Sequence, residues 1–123
     1  MKVLLIDVYN YNKGGAETVC FNTGDMLEQN GHEVTYFTLK WKQNRPSKFE
    51  KYFPESKDTR KGVFRQVINL RNYFYYPDAA RKIEQLIIDE KPDIAHIHLL
   101  WGQISPSIFT ISLIPQQFYF LKV

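Results

Sequence analysis

The chain has 123 residues, 44% of them hydrophobic and 24% charged, with a formal net charge of +3. That length supplies one domain with a real core but not a pair of Rossmann-like domains, and the composition excludes wholesale disorder. Cys20 is the only cysteine, which excludes an internal disulfide and suits a reducing compartment.

The apolar run Val3-Leu4-Leu5-Ile6 is stopped by Asp7, too soon for a secretory signal. The apolar stretch from Ile108 to Val123 is interrupted by Pro115-Gln116-Gln117 and falls short of the about 20 apolar residues that a spanning helix needs. A cytoplasmic protein is expected. The charge is uneven: between Lys40 and Lys61 stand eight basic residues against Glu50, Glu55 and Asp58. The remainder of the chain is therefore net acidic.

Lys2 to Val8 is a short, nearly continuous apolar run rich in branched residues, the signature of a parallel strand buried on both faces. Ala16, Val19, Cys20, Thr23, Met26 and Leu27 then recur at three- and four-residue spacing, which predicts a helix with those residues on its buried face. Gly24 inside it costs roughly 1 kcal/mol relative to alanine, and close packing against a strand is the expected compensation. Gly31 ends the helix, because glycine accepts a left-handed conformation.

Val34 to Leu39 reads as a second strand and completes a βαβ unit. Residues 40–76 depart from the pattern, with nine aromatic residues interleaved with charge, and predict a loop carrying one or two short helices. Ala79, Ile83, Leu86 and Ile87 form the stripe of the next helix, which Pro92 terminates. Ile94 to His98 is a further strand, and Pro106 to Ser112 opens a helix with Ser105 as N-cap. Gln117 to Val123 has the composition of a strand that would pair beside Ile94 to His98. The fold class is α/β, an incomplete Rossmann-like open parallel sheet with flanking helices, whose ligands bind at the carboxyl ends of the strands.

The stretch Asn10-Tyr11-Asn12-Lys13-Gly14-Gly15-Ala16-Glu17 falls at that edge. Its two glycines let backbone approach a ligand, and the N–H groups of a helix start favour an anion such as phosphate; an ordinary tight turn is the alternative. The stretch is neither a dinucleotide fingerprint nor a P-loop. His96 and His98 share one face of a strand, but no third metal ligand stands at useful spacing, so no metal is expected. The blander reading makes His96 a satisfied buried histidine, with His98 facing the ligand edge. His32, beyond a helix end, reads as capping and dipole compensation. The basic run at 40–61 reads as a solvated face that allows peripheral membrane contact, and no nucleic-acid partner is expected.

Taken together, Gly14-Gly15-Ala16-Glu17, the helix ending in Gly31-His32-Glu33-Val34, and Lys91-Pro92-Asp93-Ile94-Ala95-His96-Ile97-His98 resemble, in order and spacing, the N-terminal domains of family-4 glycosyltransferases of the GT-B architecture. A narrower resemblance, to members found in bacterial surface-polysaccharide assembly, extends through Ser47-Lys48-Phe49-Glu50-Lys51-Tyr52-Phe53-Pro54 and Gln103-Ile104-Ser105-Pro106-Ser107-Ile108. The likeness covers Met1 to about Ile108.

The resemblance implies a retaining transferase that moves a sugar from a nucleotide-sugar donor to a sugar or lipid-linked acceptor, without a metal or other cofactor, in the cytoplasm or at the inner membrane surface. Its N-terminal domain holds the acceptor while its glycine loop faces the donor phosphates. Carried over by position, Gly14, Gly15 and Glu17 line that loop and His98 lies near the cleft floor; no catalytic residue is assigned. In the family, a strand after the Ser107 helix ends with a histidine, whereas this chain gives Leu113 to Val123 without one. The expectation is therefore a truncated N-terminal domain, with 40–76 as a basic, aromatic insert, lacking the donor-binding domain and inactive alone. The alternative is a non-catalytic α/β module that binds an anionic ligand at the glycine loop.

Overall fold

The structure is a computed structural model, and it describes residues 1–56 and 77–98 together with the backbone of 119–122. Strands β1 (Lys2–Ile6), β2 (Glu33–Phe37), β3 (Ile94–Ile97) and β4 (Tyr119–Lys122) form one parallel sheet in the order β2-β1-β3-β4. Helix α1 (Gly15–Gln29) connects β1 to β2, and helix α2 (Pro77–Glu90) leads into β3. This is the open α/β sheet that the sequence predicts, a partial Rossmann-like domain. The strand expected in the tail is β4, paired with β3 from Ile94↔Tyr119 to Ile97↔Lys122.

β1 takes an inner place because it is apolar on both faces: Val3, Leu4, Leu5 and Ile6 are all buried. Alternation along the strand sends Leu4 and Ile6 to one side and Val3 and Leu5 to the other. On the first side, Leu4, Ile6, Phe37, Ala95 and Ile97 meet Ile83, Leu86 and Ile87 of α2. The α2 stripe is the one read from its period, with Ala79 also buried. The helix stops at Glu90, where Lys91 turns to φ 48° ahead of Pro92. Asp93 then fixes the start of β3 against β1, donating N–H to Lys2 O at 2.8 Å and accepting from Lys2 N at 2.7 Å.

On the other side, α1 presents a different face from the one its apolar spacing predicts. Ala16, Val19 and Met26 are exposed, Thr23 and Leu27 are half-buried, and only Cys20 of the expected stripe is buried. The buried positions are Glu17, Cys20, Phe21 and Gly24. Gly24 sets this rotation: a Cβ there would overlap Tyr36 Oη of β2 and press on Leu5 Cδ1 of β1. The contact is the strand packing expected of Gly24, but it turns the helix so that the smallest residue, and not the most apolar line, faces the sheet. Gly31 ends the helix at φ 81°, with Gly31 N–H on Glu28 O and His32 N–H on Leu27 O, a Schellman arrangement. His32 thus caps with its backbone. Its ring turns away to meet the Met1 ammonium at Nδ1, 3.3 Å, a correction to the dipole role expected of it.

The described part of the insert is a loop with one short helix, as expected. Lys40 and Glu55 form a parallel bridge beside the sheet, and a 3-10 helix spans Glu50–Tyr52. Phe49, Tyr52 and Phe53 are buried in the core on the α2 side, while Lys42, Arg45, Lys48 and Lys51 stay in water. The aromatic residues serve the core and the cations serve the surface. Residues 57–76 and the helix expected over Pro106–Ser112 lie outside the described residues. Among the described residues, no helix is long and apolar enough to cross a membrane.

Candidate functional site

The strands of a parallel sheet end together, and their register brings the loop after β1 and the residue after β3 to one edge. Ile6 is in register with Ile97, and His98 N–H donates to Ile6 O at 2.9 Å. Gly14, Gly15 and Glu17 follow β1 through an eight-residue loop (Asp7 to Gly14) that starts at this same carboxyl edge. The structure therefore brings together the four residues singled out in the sequence at one end of the sheet.

The loop is built from its own polar groups. Asp7 Oδ1 accepts from Val8 N–H at 2.6 Å, Lys13 N–H donates to Tyr11 O at 2.9 Å, and Thr18 Oγ1 donates to Asn12 Oδ1 at 2.8 Å. Asn10 and Arg45 exchange two bonds, Arg45 N–H to Asn10 O at 2.8 Å and Asn10 Nδ2 to Arg45 O at 3.1 Å. That exchange ties the loop to the segment following β2. Gly14 is the N-cap of α1 in an extended conformation, and no side chain caps the helix. A Cβ on Gly15 would meet nothing within 4 Å, and one on Gly14 would only touch Glu17 Oε2 at 3.5 Å. Among the described residues, neither backbone angle nor crowding calls for glycine here.

Polar groups gather on the α1 side of this edge. Asp7 and Glu17 are buried at 1% and 4% exposure, and neither forms an ion pair among the described residues. Burial pushes the Asp7 carboxyl up to about 6, against the pull of the Val8 and Tyr9 N–H groups. Its Oδ2 has no hydrogen-bond partner among the described residues. The Cys20 thiol beside it is pushed up to about 12, first by burial and then by the Asp7 charge, so it is inert at neutral pH.

His96 and His98 lie with ring centroids 4.3 Å apart and planes tilted by 38°. Burial lowers both imidazoles below their ordinary range, and His96 lowers His98 further, so both rings are neutral at pH 7. Each Nε2 is buried without a partner among the described residues. His96 is half-buried, and among the described residues its Nε2 has no partner, where a satisfied buried histidine was expected. No group of three or more His, Cys, Asp or Glu that could hold a metal occurs among the described residues.

On the other side of the loop, Tyr9, Tyr11 and Trp41 form an aromatic cluster. The Tyr9 ring lies 5.2 Å from that of Trp41, tilted by 35°, and 5.4 Å from that of Tyr11, edge-on. Trp41 Nε1 donates to Val8 O at 3.1 Å, and Lys13 Nζ donates to Tyr9 Oη at 2.6 Å.

Sequence reasoning took in Asn10 and Tyr11 only as members of the glycine-loop stretch, and it did not single out Asp7, Tyr9 or Trp41. A charged residue closing a wholly apolar strand was the available signal for Asp7, since such a position faces the ligand edge. Nothing in the spacing announces that Trp41 joins Tyr9, because the α1 crossover and β2 separate them in the chain.

The sequence profile described as Glycosyltransferase Family 4 matches residues 13–110, a stretch that holds Gly14, Gly15, Glu17 and His98. A search among curated proteins finds no match. With four-fifths of its length covered by one profile and an open parallel α/β sheet beneath it, the chain belongs to glycosyltransferase family 4.

Proposed function

We propose that the chain forms the acceptor-side half of a retaining glycosyltransferase, moving a sugar from a nucleotide-sugar donor to an acceptor hydroxyl in cytoplasmic surface-polysaccharide or glycoconjugate synthesis. The observation that carries this reading is the bare backbone at Gly14 and Gly15, with no conformational or packing reason for glycine among the described residues, on a helix start that none of their side chains caps, at the edge that also holds His98. Donor phosphates fit such a surface, because backbone N–H groups and the helix dipole both favour an anion. His98, whose Nε2 has no partner among the described residues, supplies a hydrogen bond to a hydroxyl at the cleft floor, and Glu17 shapes the loop beneath Gly14.

In this reading a second domain of like architecture supplies the grip on the donor nucleotide. The chain alone is then expected to transfer no sugar and to bind nucleotide sugars weakly. Calorimetry with a panel of nucleotide sugars checks this. Binding at about micromolar strength, near −8 kcal/mol, would show that the donor site is complete within this chain and sink the division of labour.

The uncapped helix start also favours a second reading, a non-catalytic module for an anionic ligand. Inorganic phosphate bound tightly by the chain alone, with no transfer after a family-4 donor domain is supplied, would favour that reading over the first.

A further inference from the structure

We propose that Tyr9, Tyr11 and Trp41 form a stacking surface for a pyranose ring of the acceptor, with Lys13 at its rim. The inference rests on the transferase reading above and gives that site its acceptor class: a carbohydrate ring bound by its apolar C–H face.

The three rings come from two loops that end at the ligand edge, Tyr9 and Tyr11 after β1 and Trp41 after β2. All three are half-buried. Aromatic residues that serve only the core look different: Phe37 and Phe53 are 0% exposed, Tyr52 is 4% and Phe49 is 5%. Tyr9 and Trp41 rest against the core on the α2 side, yet each keeps part of its surface in water at the end of the sheet where ligands bind.

The rings are also held in place. The bond from Trp41 Nε1 to Val8 O fixes the indole. Lys13 holds Tyr9 from one side, with Nζ donating to the hydroxyl and 4.0 Å from the ring centroid. A surface already ordered loses little side-chain entropy when a ligand lands on it. A pyranose offers what this surface takes: a patch of C–H groups for the rings, and hydroxyls around its edge. Lys13 spends one of its three N–H donors on Tyr9, leaving donors for a sugar oxygen.

Saturation-transfer NMR on the unmodified chain tests the proposal, using methyl glucoside, galactoside, mannoside and N-acetylglucosaminide as probes and uridine as the competing flat ring. At about 10 mM probe, enough to fill a millimolar site, at least one pyranoside should receive saturation through its C–H protons. Tyr11→Ala should cut that transfer by about threefold or more, the factor that an aromatic contact of this size carries, whereas Tyr52→Phe should leave it unchanged. Tyr11 touches the cluster only through the edge of Tyr9, so its loss spares the core. Tyr11→Leu, which keeps apolar bulk without a ring, should show the same loss.

No transfer to any pyranoside, transfer in the Tyr11 variants undiminished from that of the parent, or displacement of the sugar by uridine would each overturn the proposal. The two readings fail separately. Ring-dependent sugar binding in a protein that transfers nothing once given a donor domain supports the stacking surface and removes the transferase. Transfer with an acceptor KM unchanged by Tyr11→Ala does the opposite.

Discussion

The two faces of the sheet follow different rules. On the α2 side, Leu4, Ile6, Phe37, Ala95 and Ile97 meet Ile83, Leu86 and Ile87 in an apolar layer, extended by Phe49, Tyr52 and Phe53. On the α1 side, the apolar cluster shrinks to Val3, Leu5, Cys20 and Val34, with Asp7, Glu17 and two unpartnered imidazoles nearby. The first face is what hydrophobic burial selects when nothing else is asked of it. The second accepts buried polar groups that burial alone disfavours, and it accepts them at the edge where Gly14, Gly15 and His98 gather. The contrast separates scaffold from site within one small sheet.

The strongest way to break this contrast is a cavity on the dry face. Leu86→Ala removes a fully buried side chain from the apolar layer and should cost about 2–5 kcal/mol. Urea unfolding measures it, and a loss under about 1 kcal/mol would mean that the α2 face is not the main source of stability.

A smaller effect is expected where asparagine replaces the orphaned acid of the wet face. Asp7 has a carboxyl raised from 3.8 to about 6, so the folded chain holds that proton more tightly than the unfolded chain does. The resulting stabilisation is full below the unfolded value and is lost as pH rises through the folded one. Asp7→Asn should therefore match the parent near pH 3.5 and exceed it at pH 7 by up to about 3 kcal/mol. Melting of the two proteins across that range is the check. A parent that gained on the variant as pH rose would show Asp7 to be stabilised as a carboxylate.

Gly24→Ala should cost about 1–3 kcal/mol, because the added Cβ drives into the Tyr36 side chain. Tyr36→Phe removes the clashing oxygen and should recover part of that loss, a coupling that a double-mutant cycle reads directly. The smallest effect belongs to Gly15→Ala, expected to leave stability within about 0.5 kcal/mol of the parent, since the new methyl meets open space. The same change should weaken donor use once a donor domain is supplied. A large stability loss would return the glycine loop to the scaffold and away from the site.

How far the sequence could be read follows the same division. The α2 stripe was legible because Ala79, Ile83, Leu86 and Ile87 satisfy a helical period and nothing competes with it. α1 misled because its closest contact is made by Gly24, which no count of apolar residues registers, so Val19 and Met26 fell in the predicted core yet lie in water. The strand order was legible from the βαβ units, and the edge that joins Gly14 to His98 followed from it. Asp7, Trp41 and the Asn10–Arg45 exchange were not, because each acquires its meaning from partners on another strand end. Local pattern carries the scaffold, whereas the site depends on which loops the sheet brings to one edge.

The parallel register of β1 with β3 has a consequence for the order in which the protein assembles. Lys2 pairs across the chain with Asp93, some ninety residues later, whereas its β2 partner, Glu33, follows within about thirty. A chain emerging from the ribosome can close β1, α1 and β2 early, at low entropic cost for the loop. On their own side, Leu4, Ile6 and Phe37 then gain cover from Phe49, Tyr52 and Phe53, but that of Ile83, Leu86 and Ile87 comes only when α2 has been synthesised. The apolar layer that supplies most of the burial is thus the last to form, and during translation it is the face a chaperone would find open.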